Sequence, residues 1–149
     1  MNIRGTFQFH APRDRVFAAI CDPQTLMAVI PGCQEVHLTA NGDYEGSLSL
    51  RLPGAVGTYR TVVRLVDVEA PQRSGLEGRV DGAMGSISGR AEFVLVDEGR
   101  ETRMEYQGHA VIQGPLARLD SRFAERFAET LLGQGLKALD ARLQIEVPA

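Results

Sequence analysis

The segment PLARLDSRFAERFAETLLGQGLKALDARL, residues 115–143, contains no proline after its first residue and reads as one long helix. On a 100° wheel Leu116, Phe123, Phe127, Leu131, Gln134 and Ala138 fall on one side, and Arg118, Arg122, Glu125 and Glu129 on the other. The apolar side needs a large surface to lie on. Upstream of it the chain offers β-type segments separated by Asn41-Gly42-Asp43, Pro53-Gly54, Pro71-Gln72, the glycine-rich stretch around Gly85, and Asp97-Glu98-Gly99. These breaks define about six strands. Asn-Gly is the strongest hairpin signal among them, because both residues accept the positive φ angles of a tight turn, so sequential antiparallel pairing is expected.

Ahead of those strands, Asn2 to Phe9 alternates loosely and predicts a first strand. Ala11-Pro12 suits a helix start, with Val16, Phe17 and Ile20 as the apolar side. Asp22-Pro23 restarts a second helix, Asp as N-cap and Pro at the next position, which runs to about Ile30 before Pro31-Gly32 stops it. The predicted fold is α+β in one domain over residues 1–149: a seven-stranded curved antiparallel sheet, two short helices, and a long C-terminal helix covering an inner cavity.

Composition fits that reading. The chain has 149 residues and 16.2 kDa, with 44% hydrophobic and 23% charged residues, enough to bury a core without disulfide or metal. Cys21 and Cys33 lack metal or redox spacing and are expected to be reduced thiols in a cytoplasmic protein. A formal charge of −3 with scattered basic residues argues against nucleic acid. No apolar run approaches the ~20 residues of a membrane span.

Period-two reading fixes the inward faces once charges are sent to solvent. Facing the helix are Tyr59, Thr61, Val63 and Leu65; then Leu76, Gly78, Val80, Gly82 and Met84; then Ile87, Gly89, Ala91, Phe93 and Leu95; and finally Met104, Tyr106, Gly108, Ala110 and Ile112. Six of these are glycine or alanine in adjacent strands, where a core would prefer larger residues. Either the helix descends to fill the gap in a strongly curved sheet, or a cavity remains that holds a small hydrophobic ligand. The inward polar groups are Tyr59, Thr61, Tyr106, Thr130 and Gln134. The expected ligand-binding set is Tyr59, Met84, Phe93, Met104, Tyr106, Phe123, Phe127 and Gln134. Leucine at Gly82 or Gly108 is expected to fill the cavity.

No convergent catalytic set is visible. His10 precedes the first helix, and His37 and His109 take outward strand positions. HExxH, GxSxG, Walker and paired-cysteine metal patterns are absent. Cys33 has no histidine placed to activate it and reads as an inert thiol. Neither a catalytic residue, a metal nor a cofactor is expected; a quinone- or lipid-like ligand is.

The order of elements and several short motifs resemble the START-like, helix-grip superfamily that includes Bet v 1-type and polyketide-cyclase-type proteins. Phe9-His10-Ala11-Pro12-Arg13-Asp14-Arg15-Val16-Phe17 followed by Asp22-Pro23 is similar to its opening. Within it, Ile30-Pro31-Gly32-Cys33, the run from Gly78-Arg79-Val80-Asp81-Gly82 to Gly89-Arg90-Ala91, Thr102 to Tyr106, and Gly114 to Leu119 resemble the CoxG family of carbon monoxide dehydrogenase. That resemblance spans essentially the whole chain. It implies an accessory protein for a molybdenum hydroxylase of the CO-dehydrogenase type, in maturation, membrane recruitment or electron hand-off, and not the redox catalyst. Many members continue past the long helix into a low-complexity tail and a membrane-associating end, whereas this sequence stops at Ala149, so anchoring is not carried over. The expected location is cytoplasmic, reaching the inner membrane face only through a partner. Asp120 stands where the family often has a small residue, and serves either a polar head group or the helix macrodipole.

Three classes of function follow. The first is a non-catalytic accessory factor that binds a hydrophobic ligand in the helix–sheet cavity. The second is an aromatase/cyclase-type enzyme with Tyr106 and Asp120 as acid–base pair. The third is an interaction module with a filled core, docking through the loop from Ile30 to Cys33. Shared fold alone does not choose among them.

Overall fold

A computed structural model describes residues 1–52 and 55–145. Its elements are β1 (Asn2–Phe9), α1 (Arg13–Ile20), α2 (Pro23–Val29), β2 (Cys33–Leu38), β3 (Asp43–Leu52), β4 (Ala55–Glu69), β5 (Arg73–Gly82), β6 (Gly85–Glu98), β7 (Glu101–Gln113), a 3₁₀ turn at Gly114–Arg118, and α3 (Ser121–Ile145). The strands form one antiparallel sheet in the order β1-β7-β6-β5-β4-β3-β2. Neighbours from β2 to β7 are therefore consecutive in sequence, and β1 closes the far edge beside β7, pairing Asn2 with His109 and Phe9 with Thr102. The expected turns at Asn41-Gly42, Pro71-Gln72, Gly85 and Gly99 all separate strands; the Pro53-Gly54 turn lies outside the described residues.

Local chemistry sets the helix boundaries. Pro12 is extended and precedes α1. The Asp22 carboxylate accepts the Thr25 N–H at 3.3 Å and the Thr25 hydroxyl at 2.6 Å, capping α2 with Pro23 in its first turn. Gly32 has φ +76°, and a Cβ there would collide with the Ser49 carbonyl oxygen, so the chain leaves α2 through a position only glycine fills.

Two apolar clusters form the core. The larger joins Phe9, Val16, Phe17, Phe93, Leu95, Met104, Leu136, Leu139 and Leu143, where α1, α2 and the C-terminal half of α3 meet β1, β6 and β7. The smaller joins Leu50, Leu52, Tyr59 and Leu116, with Val80, Met84, Ile87, Phe127 and Leu131 packed around them. Burial of Leu139 and Leu143, each 3% exposed, contributes ~1.5–3 kcal/mol apiece. Polar clasps fix the same junction. Thr102 donates its hydroxyl to Ala11 O at 2.7 Å, the His10 N–H donates to Asp140 Oδ1 at 2.8 Å, and the Gln144 amide donates to His10 O at 2.7 Å.

The C-terminal segment differs from expectation. Instead of one helix from Pro115, the chain makes a 3₁₀ turn, becomes extended at Leu119, and starts α3 at Ser121. The cause is Asp120, whose carboxylate accepts the N–H groups of Arg122 at 2.8 Å and Phe123 at 3.4 Å and whose carbonyl accepts that of Ala124. The break lets Leu116 enter the smaller cluster, its N–H bonded to Met84 O at 2.9 Å.

The buried face of α3 also lies further round than the aromatic stripe suggested. Ala124, Leu136, Leu139 and Leu143 are its buried residues, with Phe127, Leu131, Leu132 and Ala138 packed beside them. Phe123 is 39% exposed, stacked on Phe127 with ring centroids 6.2 Å apart, and Thr130 and Gln134 are exposed. These three inward assignments are corrected: the stripe chosen from the aromatics is one edge of a broader face, and its outer members stand in solvent.

Candidate functional site

Between α2, α3 and the concave face of the sheet lies an apolar cavity of about 480 Å³, within the range of small-molecule sites. Ile3 comes from β1, Leu76 from β5, Ala91 and Phe93 from β6, and Met104, Tyr106 and Gly108 from β7. The helical side is Leu26, Val29 and Ile30 with Pro31 after α2, and Leu131, Leu132, Gly135, Leu136 and Leu139 on α3. Phe93 and Met104 belong at the same time to the larger cluster, so the rear wall is rigid core.

Tyr106 is the polar feature of this wall. Its ring leans across the sheet edge onto β1, where a Cβ on Gly5 would lie 2.6 Å from the hydroxyl oxygen. Glycine at position 5 is thus what gives the phenol its seat, although Gly5 and Tyr106 are cross-strand partners. Among the described residues the hydroxyl has no hydrogen-bond partner. Burial pushes the phenol pKa up and the nearby Glu129 carboxylate adds to the shift, so the group stays a neutral O–H donor at physiological pH.

Of the eight residues expected to bind ligand, Phe93, Met104 and Tyr106 line the cavity. Tyr59, Met84 and Phe127 do not; they pack in the smaller cluster beside it. Phe123 and Gln134 are exposed, as above. Gly108 borders the cavity, but the space in front of Gly82 already holds the Tyr59 ring: a Cβ there would lie 2.6 Å from Cε2 and closer still to Cδ2. Leucine at Gly82 would therefore displace Tyr59, and the expectation that it fills the ligand cavity is withdrawn. The residues overlooked are those of α2 and the second stripe of α3. Leu26, Val29 and Ile30 recur at helical spacing, as do Leu132, Leu136, Leu139 and Leu143, and that periodicity was the available signal.

The ionisable groups singled out from the sequence sit elsewhere. Asp120 caps α3 and is exposed, so its placement on the inner side of the helix, and with it the acid–base pairing with Tyr106, is corrected. His10 is exposed and ion-paired to Asp140 at 2.7 Å, which raises its pKa. His37 lies 3.6 Å from Glu45, and His109 bonds to Asn2 at 2.8 Å. Cys21 and Cys33 are half-buried with thiol pKa values raised by burial. Among the described residues no group of His, Cys, Asp and Glu is arranged to hold a metal ion, and no helix is long and apolar enough to cross a membrane.

Comparison with known proteins agrees with this architecture. A conserved protein from Geobacillus kaustophilus superimposes with a TM-score of 0.91 at 20% identity, covering 97% of this chain and 95% of that one. A START superfamily protein from Mycobacterium smegmatis gives 0.75 at 10% identity, covering 98% and 99%, and a protein from Chromobacterium violaceum gives 0.70 at 20%, covering 94% and 95%. At such identities the likeness concerns the fold, which is START-like. No curated protein matches the sequence. The CoxG family of carbon monoxide dehydrogenase matches residues 5–144, nearly the whole chain. The chain belongs to the CoxG family, whose members are accessory components and not catalysts.

Proposed function

We propose that this protein is an accessory factor that holds a hydrophobic, quinone- or lipid-like molecule in the cavity between α2, α3 and the sheet, in the service of a molybdenum hydroxylase of the CO-dehydrogenase type. The observation that carries the ligand reading is the cavity itself: about 480 Å³ walled by aliphatic and aromatic side chains, with the Tyr106 hydroxyl on its wall lacking a partner among the described residues. An apolar body would leave water there, and a carbonyl or hydroxyl oxygen would satisfy the phenol. The family assignment supports the partner enzyme. In this reading the electrons or the carrier pass to or from the partner, and the protein supplies solubility and orientation.

Native mass spectrometry after incubation with a mixture of respiratory quinones and fatty acids tests the proposal. One-to-one quinone adducts that survive gentle activation are expected. Tyr106→Phe should weaken retention by ~2–10-fold, the worth of one neutral hydrogen bond. Fatty acids alone on the protein would redirect the proposal to lipid handling. No adduct with any apolar ligand would overturn it and favour a pure interaction module.

A further inference from the structure

The flank of α3 that runs along β1 carries two carboxylates whose placement bears on what the cavity admits. β1 and α3 are pinned together near both ends. Glu125 Oε1 accepts the Asn2 N–H at 3.1 Å, and Asp140 accepts the His10 N–H at 2.8 Å. Between these anchors the strand advances ~26 Å and the helix ~22 Å, so the two run side by side in the same direction. Gly5 lies ~10 Å along the strand from the first anchor, and Glu129 lies one helical turn, ~6 Å, beyond Glu125 on the same flank. Glu129 therefore stands within about one turn of Gly5, over which the Tyr106 hydroxyl rests. The next turn of the same helix supplies Leu132 and Leu136 to the cavity wall.

Glu129 is exposed and makes no ion pair among the described residues. Arg4, the neighbour of Gly5, is exposed on the opposite side of the strand alternation, whereas Gly5 is half-buried. The negative charge beside the phenol is thus left standing, and the perturbation of Tyr106 by Glu129 reports that the two groups feel each other.

Resting on the reading that the cavity holds an amphipathic apolar ligand, we propose that Glu129 is a specificity-determining residue: it reserves the position beside the Tyr106 hydroxyl for uncharged polar heads and repels carboxylate heads. A quinone carbonyl or an alcohol accepts or exchanges a hydrogen bond with the phenol without electrostatic cost. An ionised carboxylate of the same chain length would place like charges together where one side of the pair is apolar wall and solvent screening is reduced.

The test uses two probes that differ only in the head, hexadecanol and palmitate, with the purified full chain near neutral pH. Retention is measured by native mass spectrometry and by competition. Wild-type protein should prefer the alcohol by roughly tenfold. Glu129→Gln should bring the two within about twofold, and Glu129→Lys should reverse the order, while Glu45→Gln, a carboxylate of β3, leaves the preference unchanged. Equal retention of both probes by the wild type, or a preference that survives Glu129→Gln, overturns the assignment and leaves the cavity reading intact. Failure of the wild type to hold either probe overturns the cavity reading and this assignment with it.

Discussion

Replacing Gly82 with alanine should destabilise the protein, although the same change at Gly78, two turns of the pleat away on the same strand face, should not. A Cβ on Gly82 would lie 2.6 Å from Tyr59 Cε2, whereas carbon atoms in contact settle at ~3.5–4.0 Å. The ring must then retreat by ~1 Å. Tyr59 is 2% exposed and enclosed by Leu50, Leu52 and Leu116, so the shift compresses packed neighbours, at ~1–3 kcal/mol. Against this stands the ~0.5–1 kcal/mol that alanine gains over glycine in a strand. The net loss is about 1–2 kcal/mol, or a fall in Tm of ~2–8 °C for a chain of this size. At Gly78 the nearest atom to a new Cβ is Val63 Cγ2 at 3.4 Å, an ordinary contact, and the entropic gain should keep Tm level or raise it. Thermal and urea unfolding followed by circular dichroism measure both variants. In a Tyr59→Leu background Gly82→Ala should lose most of its cost, a coupling of ~1–2 kcal/mol. Equal Tm for the two alanine variants, or the same cost with the ring removed, would refute the claim that Gly82 exists to seat Tyr59.

Two further outcomes follow from the helix termini. Asp120→Ala removes the cap of α3 and should cost ~0.5–2 kcal/mol in unfolding experiments while ligand retention stays at the wild-type level; lost retention with unchanged stability would restore a head-group role for Asp120. The ion pair with Asp140 raises the His10 pKa, so its stabilisation is complete below the unfolded value near ~6.5 and fades as pH climbs through the raised folded value. Asp140→Asn should therefore lower Tm more at about pH 5.5 than at about pH 9, and a pH-independent difference would show that the pair contributes nothing through charge.

Where local chemistry decides, the sequence was sufficient. Asp22-Pro23, Pro31-Gly32 and Asn41-Gly42 each act within a few residues, and each ended or began the element it was expected to. Strand faces were legible for the same reason: charges at every second position of β5, β6 and β7 leave one register that buries none of them. Asp120 was misjudged because an N-cap and an inward-facing helical residue look alike until the start of the helix is known, and the continuous apolar pattern from Leu116 concealed the break. Gln134 and Phe123 were assigned inward because the wheel was centred on aromatics; burial of Leu132, Leu136 and Leu139 depends on which flank meets β1, a tertiary choice made by the contacts of Asn2 and His10 with α3.

The origin of the cavity was the least legible feature, because the small inward residues do not create it by omission alone. Gly82 makes room for Tyr59, and Gly5 for the Tyr106 phenol. At Gly89 a side chain would strike the His109 carbonyl oxygen of the adjoining strand, so close strand packing requires it. Only Ala91 and Gly108, whose missing Cβ would sit 3.0 Å from the Ala91 methyl, border the cavity directly. The remaining volume comes from the distance at which α2 and α3 are held from the sheet. Leu136 and Leu139 anchor α3 in the larger cluster, Phe127 and Leu131 anchor it in the smaller one, and the cavity lies in the span between. A helix supported at two packed ends does not descend in the middle unless one support is removed. It follows that ligand capacity in this fold is set as much by the residues that prop the helix as by those that line the pocket, and that composition on the sheet face alone is a poor guide to it.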